Sequence, residues 1–303
     1  MPETLSIVGA GRVGKALGRC LHDLGWHIGV VTTRAIPSAR AAVRAIGAGH
    51  AADQLTSRVL ASKVVLIATP DRVIADVARD LAHLGGDEWR GKVVLHTSGA
   101  LDTSPLGPLA NAGAETGSIH PMQTFTSQSA PNLAGAVFGI DGTPAALKTA
   151  RKMVRQMGGV AVRLSGGNKA AYHAAGSLVS GHVLAVLETA TRLLMAQGFT
   201  RREAARALLP LTRQTLDNFE RIGPRAAWTG PMSRGDFLTV QRHADALSSF
   251  PSAYQDAYKA LSRLAATVLA DDSSATLQKL NVVFSPRPKA AEEKKAKNKT
   301  ATG

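Results

Sequence analysis

One predicted helix carries a polar stripe whose side chains suit acid–base chemistry. At about 100° per residue, one face presents an ammonium, an imidazole, a gap and a hydroxyl: Lys169, His173, Gly176 and Ser180, flanked by Tyr172 and Ser177. A lysine ammonium can protonate an atom on which negative charge develops, so we predict that Lys169 is the proton donor, directly or through His173. We expect Ser180 to place the substrate, with Tyr172 and Ser177 in contact with it. The alternative is a solvated helix end at Lys169 and a packing role for His173.

A glycine-rich turn near the start of the chain is of the kind that binds a dinucleotide. A short apolar run leads into Gly9-x-Gly11-x-x-Gly14, and an amphipathic helix follows. Gly9 permits the tight turn, Gly11 lets the backbone approach a pyrophosphate, and Gly14 lets the helix pack close to the strand. The first peptide N–H groups of the helix, at Arg12 and Val13, would then face the phosphates.

The end of the second predicted strand indicates which dinucleotide binds. Thr33 and Arg34 follow the apolar run, and Arg34 lies 20 residues beyond Gly14. An acidic residue at this place bonds a free ribose 2′-hydroxyl, whereas arginine and small hydroxyls suit a 2′-phosphate. The sequence therefore predicts NADP, bound in part by Thr33 and Arg34. The alternative for Arg34 is a solvated loop arginine.

Further binding residues are expected just after the later strands, because ligands lie beyond the carboxyl ends of parallel strands. Small residues after one strand would leave room for the nicotinamide ribose: Ala68, Thr69 and Pro70. Ser98 lies in a hydroxyl-rich turn suited to a carboxylate or a carboxamide, and His120 and Gln123 follow the next strand. His120 is either a hydrogen-bond donor to the substrate or a turn histidine ordered by Pro121.

A loop near residue 230 offers a cation for an acidic substrate. Arg234 stands two residues before Asp236, which is placed to cap the next helix. A guanidinium binds a carboxylate with two parallel hydrogen bonds. We therefore expect Arg234 to hold the substrate's carboxylate, from the same subunit or from a partner subunit.

Composition argues against several other classes of protein. The 303 residues are 45% hydrophobic, and the formal net charge of +14 is scattered along the chain, which argues against a nucleic-acid partner. Cys20 is the single cysteine, so no internal disulfide forms. We find no leader-like N-terminus and no run of about 18 apolar residues. A cytoplasmic protein with no membrane association and no metal is expected.

Alternating strands and helices predict the architecture. Strand-like apolar runs occur at 6–8, 28–32, 64–68, 93–96, 115–119, 137–140 and 160–164. This pattern is typical of an α/β fold with a doubly wound, mainly parallel sheet of the Rossmann type. Afterwards only helices are predicted, at 168–197, 200–221 with a kink at Pro210, 236–248 and 251–270.

These elements divide the chain into domains. An NADP-binding domain is expected at 1–164, an all-α substrate and dimerisation domain at 165–284, and a disordered basic tail at 285–303. The segment 174–195 is apolar on nearly all sides, so we expect it to be buried in its own domain or against a second subunit.

Five motifs together resemble a known family. They are the glycine turn, Thr-Ser-Gly-Ala at 97–100, His-Pro-x-x-x-Phe at 120–125, Lys-x-x-Tyr-His at 169–173 and Gly-Pro-x-x-Arg-Gly-Asp at 230–236. Over about residues 4–270 the chain resembles the Rossmann-like oxidoreductases with a helical C-terminal domain of unknown function (DUF2520 type). That family is similar to pyrroline-5-carboxylate reductases and deazaflavin-dependent NADP oxidoreductases. The resemblance implies a Rossmann-type fold, NADP and a homodimer formed through the helical domain.

One departure from the family pattern concerns the predicted catalytic helix. Ser180-Gly181 stands where related sequences often carry Ser-Asn. A side-chain amide that would orient the substrate is therefore missing.

Together these features predict an NADP-dependent reductase of a C=O or C=N bond in a small carboxylate-bearing substrate. A 2-keto acid such as ketopantoate and a cyclic imino acid both fit, and the sequence does not separate them. The alternative is a non-catalytic NADP-binding protein that senses redox state. Because such a sensor has no use for the polar stripe, the stripe favours the enzyme.

Overall fold

The computed structural model describes residues 3–126, 131–164 and 168–285, and the chain divides into two compact units after Val183. The sequence predicts the boundary at 164/165 instead. The difference arises because the helix that begins at Lys169 packs with the sheet, into which the Lys169 side chain reaches. Nearly all of the predicted basic tail, from residue 286 onwards, lies outside the described residues.

The first unit is built on one eight-stranded sheet. Its strands are β1 (Thr4–Val8), β2 (His27–Thr32), β3 (His50–Ala52), β4 (Val64–Ile67), β5 (Val93–His96), β6 (Glu115–Pro121), β7 (Val137–Gly142) and β8 (Val160–Arg163). From edge to edge the order is β3-β2-β1-β4-β5-β6-β7-β8, and every described pair is parallel except β6 with β7. The predicted doubly wound, mainly parallel sheet is confirmed, and β3 is an additional edge strand.

Helices cover both faces of this sheet. They are α1 (Arg12–Asp23), α2 (Ile36–Ile46), α3 (Ile74–Gly85), α4 (Gly107–Asn111), α5 (Pro144–Gln156) and α6 (Lys169–Ser177), with short 3-10 turns at Ser57–Ala61, Asp71–Val73, Gly86–Trp89 and Ser104–Leu106. Because strand side chains alternate between faces, Leu5 and Ile7 join a core with α1, α2 and α5. Val65 and Ile67 join a second core with α3 and α4. The chain order of strands reverses between β1 and β4, so their carboxyl ends flank the crevice in which ligands bind in such sheets.

The second unit is helical throughout its described part. It contains most of α7 (Val183–Ala196), then α8 (Arg201–Ile222), α9 (Pro224–Ala227), α10 (Phe237–Ala246), α11 (Ser252–Leu269) and α12 (Ser273–Val283), with 3-10 turns at Met232–Arg234 and Leu247–Ser249. Its small core holds Val240, Ala266 and Leu280. The structure has no strand among the described residues after Arg163, as predicted. Helix α8 continues through Pro210, and α12 was not predicted.

A π-helical turn, Leu178–His182, joins α6 to α7, so that the helical segment runs from Lys169 to Ala196. Its mean hydropathy is 1.3 over an 18-residue window, and none of that window is buried. The predicted burial within its own domain is therefore wrong. By length and composition alone this is the one helix among the described residues that is able to cross a membrane.

Candidate functional site

The glycine turn lies against the end of β4. Gly9 has φ +84°, and a Cβ there would lie 2.7 Å from the backbone nitrogen of Thr69. A Cβ on Gly14 would lie 3.1 Å from the Cβ of Ala68 and 3.3 Å from Ile7. At both positions the neighbouring residues approach the backbone so closely that a side chain would not fit without a shift, as the fingerprint predicts.

The beginning of α1 offers an uncovered set of backbone donors. Among the described residues, no side chain caps this helix end and no acidic residue lies in its first turn. A Cβ on Gly11 would have only the Gly9 carbonyl oxygen in reach, at 4.0 Å. The first N–H groups of a helix attract anions, so Arg12 and Val13 lie where a phosphate would bind. The Arg12 guanidinium itself donates to the carbonyl of Phe125, at 3.2 Å.

One buried hydroxyl beside this turn lacks a partner. Thr69 Oγ1 is buried and makes no hydrogen bond to any residue that the structure describes. A buried hydroxyl without a partner is costly. A ligand with its own hydrogen-bonding atoms would satisfy it, so Thr69, with its half-buried neighbour Ala68 and exposed Pro70, fits a dinucleotide at the glycine turn.

The loop after β2 places Arg34 at the surface. Thr33 is half-buried and its hydroxyl donates to the carbonyl of Ala35, at 2.9 Å, while Arg34 is exposed. An exposed guanidinium beside the end of β2 is free to meet a ribose phosphate, and it is equally compatible with a solvated arginine. The 2′-phosphate contact predicted for Thr33 and Arg34 stays a prediction.

Ser98 links the ends of β4 and β5. Its hydroxyl donates to Asp71 Oδ2, at 2.8 Å, and accepts from the N–H groups of Ala100 and Leu101, at 3.2 and 3.0 Å. The side chain is therefore held rigidly in its turn. The sequence reasoning did not select Asp71 as a site residue, although its position directly after the exit of β4 was the available signal.

His96, at the end of β5, was also not predicted. Its Nδ1 accepts from the N–H of Ser98, at 3.1 Å, so its Nε2 carries the proton and donates to the carbonyl of Asp102, at 2.8 Å. Burial and the nearby Lys169 lower its pKa to about 4. His96 is neutral at pH 7 and shapes the Ser98 turn.

Lys169 lies beneath these strand ends. It is only 6% exposed, and its Nζ donates to Ser118 Oγ at 2.7 Å and to the carbonyl of Ser98 at 3.4 Å. Burial lowers its pKa. The alternative of a solvated helix end is therefore wrong. The hydrogen bonds of Lys169 go to Ser98 and Ser118, and no hydrogen bond joins its Nζ to His173 among the described residues.

His120 forms a cluster with two residues of α6. Its Nδ1 lies 3.1 Å from Tyr172 Oη, and its ring meets the rings of Tyr172 and His173 edge to face, each at 5.5 Å between centroids. Burial, then the charges of His173 and Lys169, lower the pKa of His120 to about 4. A Cβ on Gly99 would lie 2.7 Å from His120 Nε2, so the ring sits directly over the Ser98 turn.

A cleft of about 300 Å³ opens beside this cluster. It is lined by residues 120–124, at the end of β6 and directly after it, and by one face of the helix: His173, Gly176, Ser177, Val179 and Ser180. The gap predicted at Gly176 is covered, because a Cβ there would lie 2.8 Å from Met122 Sδ. Ser177 and Ser180 donate to the carbonyls of His173 and Gly176, at 3.2 and 2.7 Å. Gln123 is exposed at the rim, with its Oε1 accepting from the N–H of Thr124 at 2.9 Å.

Arg234 belongs to the second unit. It ends an exposed 3-10 turn, and Asp236 caps α10 by accepting from the N–H of Thr239, at 3.0 Å. The predicted cap is confirmed, and the carboxylate contact of Arg234 stays a prediction. No group of three or more His, Cys, Asp or Glu side chains in the described ranges is arranged to hold a metal ion.

Comparison with solved structures shows the same fold elsewhere. BF3122 from Bacteroides fragilis, named for a proposed NADP oxidoreductase activity, is 20% identical with a TM-score of 0.70, over 86% of this chain and 97% of that one. Protein TM1727 from Thermotoga maritima is 26% identical with a TM-score of 0.66, over 85% and 97%. The imine reductase of Streptomyces aurantiacus is 16% identical with a TM-score of 0.60, over 91% and 99%.

Family comparisons cover both parts of the sequence. Residues 3–121 match the Rossmann-like domain, and residues 136–265 match the domain of unknown function DUF2520. No curated protein matches the sequence. The chain therefore joins a Rossmann-like domain to a DUF2520 domain, the combination that its motifs predict.

Proposed function

We propose that this protein is an NADP-dependent oxidoreductase that reduces a C=O or C=N bond in a small carboxylate-bearing substrate. The observation that carries the proposal is a buried lysine and a neutral histidine at the carboxyl ends of β5 and β6, in the same sheet unit as the uncapped start of α1. This combination suits hydride transfer, which needs a bound dinucleotide beside groups that stabilise and protonate a developing anion. The imine reductase that shares the fold performs chemistry of this class, as its name states.

Several residues fit the dinucleotide. The N–H groups at the start of α1 would bind the pyrophosphate, and Thr69 would gain the partner that its buried hydroxyl lacks. Arg34 would bind the 2′-phosphate, which makes NADP the preferred cofactor. When bound, the reduced nicotinamide supplies the hydride.

The chain's own residues then handle charge and protons. Lys169 does not line the cleft but lies behind the Ser98 turn, where its buried ammonium would stabilise negative charge on the substrate's oxygen or nitrogen with less screening than an exposed lysine has. Burial lowers the pKa of Lys169, so its ammonium gives up a proton more readily than that of an exposed lysine. Neutral His120 lines the cleft and contributes a hydrogen bond there.

The substrate's carboxylate needs a cation that the cleft does not supply. No lysine or arginine is among the described residues that line it. The sequence predicts Arg234 for this role, from the same subunit or from a partner subunit; its side chain is exposed, and the contact stays a prediction.

A second copy of the chain is the proposed protein partner. Apolar side chains of the helical segment and of α8 are exposed in one chain: Leu178, Val179, Leu184, Val186, Leu211, Leu216, Phe219 and Ile222. Many exposed apolar side chains on neighbouring stretches of a chain are typical of an interface. The helical segment that carries part of these apolar side chains begins at Lys169, inside the candidate site. This favours a protein rather than a lipid bilayer as the partner that buries them.

The proposal is tested by NADPH oxidation with a panel of 2-keto acids and cyclic imines. We compare the wild type with Lys169→Met, which keeps the length of the side chain and removes its charge. Loss of a proton donor costs about a hundredfold or more in kcat, so Lys169→Met should be nearly inactive while still binding NADPH. Lys148→Met, at an exposed position on α5, is the matched control and should be fully active.

Two results would overturn the assignment. Normal turnover of Lys169→Met would remove Lys169 from the chemistry. Tight NADPH binding without oxidation of NADPH by any substrate, at any protein concentration, would favour the redox sensor.

A further inference from the structure

Tyr172 contacts the histidine that lines the cleft. Its phenol lies 3.1 Å from His120 Nδ1 and 3.4 Å from the carbonyl oxygen of the same residue. Gly139 stands opposite His120 in the β6–β7 ladder, and a Cβ there would lie 2.8 Å from the phenol oxygen. The phenol therefore occupies a slot that exists only because residue 139 has no side chain. We infer that Tyr172 is a positioning residue, which fixes the proton of neutral His120 on Nε2 and so makes this histidine a donor into the cleft.

The inference follows from counting protons. His120 is neutral at pH 7, because burial and its neighbours His173 and Lys169 hold its pKa near 4, so its ring carries a single proton. Burial raises the pKa of Tyr172, and the phenol keeps its own proton. Two His120 atoms lie within reach of that proton, Nδ1 at 3.1 Å and the carbonyl oxygen at 3.4 Å, and the shorter distance favours donation to Nδ1. A ring nitrogen that accepts a hydrogen bond is unprotonated, which leaves the ring proton on Nε2.

The backbone of Gly139 opposes the rise in the pKa of the phenol. The phenol oxygen lies 3.1 Å from His120 Nδ1 and 3.4 Å from the His120 carbonyl oxygen. The opposite tautomer would have to send the phenol proton to the more distant carbonyl.

His120 lines the 300 Å³ cleft, and the glycine at position 99 keeps the space beside Nε2 free of a side chain, since a Cβ there would lie 2.7 Å from Nε2. The charged and titratable groups around the ring are His173, Lys169, Asp71 and His96. A neutral imidazole N–H polarises a carbonyl or an imine without giving up its proton. This use of the proton rests on the proposed function, whereas the tautomer itself does not.

The test is nitrogen-15 NMR of the histidine rings in the full-length protein at pH 7, without any ligand. The wild type should show His120 with Nε2 protonated and Nδ1 unprotonated, and loss of the signals in His120→Gln assigns them. In Tyr172→Phe the Nδ1 signal should move, because the hydrogen bond it accepts is gone. Loss of one such hydrogen bond should also lower kcat by about twofold to tenfold.

The second unit contains a matched control. Tyr258 Oη lies 2.9 Å from His243 Nδ1, with the two rings edge to face. Tyr258→Phe should shift the ring nitrogens of His243 and leave His120 and the activity unchanged.

Two outcomes would overturn the inference. The first is a wild-type His120 protonated on Nδ1, a result that stands even if Tyr172→Phe does not fold. The second is a folded Tyr172→Phe protein in which the His120 ring nitrogens do not move. Absence of NADPH oxidation together with the expected tautomer would refute the proposed function alone.

Discussion

The imidazole of His96 accepts the Ser98 N–H on Nδ1 and donates from Nε2, so protonation of Nδ1 breaks the first of these hydrogen bonds. Its pKa is about 4 in the folded chain and near 6.5 when unfolded. Between these values the unfolded state binds more protons, so stability rises with pH. We expect the free energy of unfolding to fall by up to about 3 kcal/mol through His96 as the pH drops from 6.5 to 4. Urea unfolding at several pH values measures this.

The His96→Asn variant isolates this contribution. Asparagine keeps an acceptor for the Ser98 N–H but does not titrate. The free energy of unfolding should therefore depend less on pH, by the amount that His96 contributes. The exposed His27 on β2 provides the control, and His27→Asn should leave the slope unchanged. An unchanged slope in His96→Asn would mean that this ring titrates normally.

Arg34 decides the choice of cofactor in our account. A charge-assisted hydrogen bond contributes about 1.5 to 3 kcal/mol, so NADPH should bind at least about tenfold more tightly than NADH at low salt. The difference should shrink as salt is added. Arg34→Asp should weaken NADPH far more than NADH, whereas Arg151→Asp, an equal charge change at an exposed site on α5, should affect both little. Fluorescence titration measures both cofactors with the wild type and the two variants, and equal losses for the two cofactors in Arg34→Asp would make Arg34 a solvated residue.

At the residue level, sequence periodicity was sufficient to bring Lys169, His173 and Tyr172 to one helix face. It did not reveal that Lys169 turns inwards to Ser118 while His173 faces the cleft. That difference depends on the position of β6 beneath the helix. Ser118 and His96 were not predicted because each is an ordinary polar residue within its strand, and Asp71 was not selected although it directly follows the exit of β4. Only the order of the strands brings them together.

Among the elements, those with a continuous apolar run were the ones that the sequence predicted well. Strand β5 has the predicted bounds, and β6 differs by two residues at its end. Strand β3 reads His50-Ala51-Ala52 and pairs only at the sheet edge, so it carries no apolar signature. The π-helical turn at 178–182 has no sequence signal of the kinds considered. Such turns occur often at functional sites, and this one shapes the cleft wall near Val179 and Ser180.

The contact of α1 with β1 and β4 depends on Gly14. A Cβ there would lie 3.1 to 3.3 Å from Ala68, the Gly9 carbonyl and Ile7, none of which is a flexible side-chain end. Gly14→Ala should therefore destabilise the protein by about 1–3 kcal/mol and weaken NADPH binding. Gly107→Ala, at the start of α4 with nothing in reach of its Cβ, should be neutral or slightly stabilising. Thermal and urea unfolding compare the two variants, and equal stability would show that the contact is not tight.

For the whole molecule, the main feature that one chain does not explain is the apolar surface of its helices. A helix that is apolar on all sides is normally buried. The sequence predicted that it packs either within its own domain or against a second subunit. Burial within the domain is wrong, which leaves the second subunit as our proposal. The sequence does not distinguish these two alternatives, because hydropathy indicates that a helix surface is buried but does not identify the protein surface against which it packs.

The dimer proposal predicts a particle of twice the 31.6 kDa of one chain. Light scattering during size-exclusion chromatography measures this mass. Leu184→Lys places a charge on the exposed helix and should shift the protein to monomer, because an unpaired charge is costly in an apolar interface. Leu24→Lys, at an exposed leucine at the end of α1 in the first unit, should not change the mass. A monomeric wild type would leave the apolar surface to another partner.

The central claim, that a nicotinamide dinucleotide binds at the glycine turn and presents its ring to the polar cluster, is tested most directly by a crystal structure with NADP+. The account predicts pyrophosphate oxygens on the N–H groups at the start of α1 and a ligand atom within about 3 Å of Thr69 Oγ1. It also predicts the nicotinamide ring beside Ser98 and His120. A dinucleotide bound elsewhere, or one whose nicotinamide lies away from β5 and β6, would contradict it.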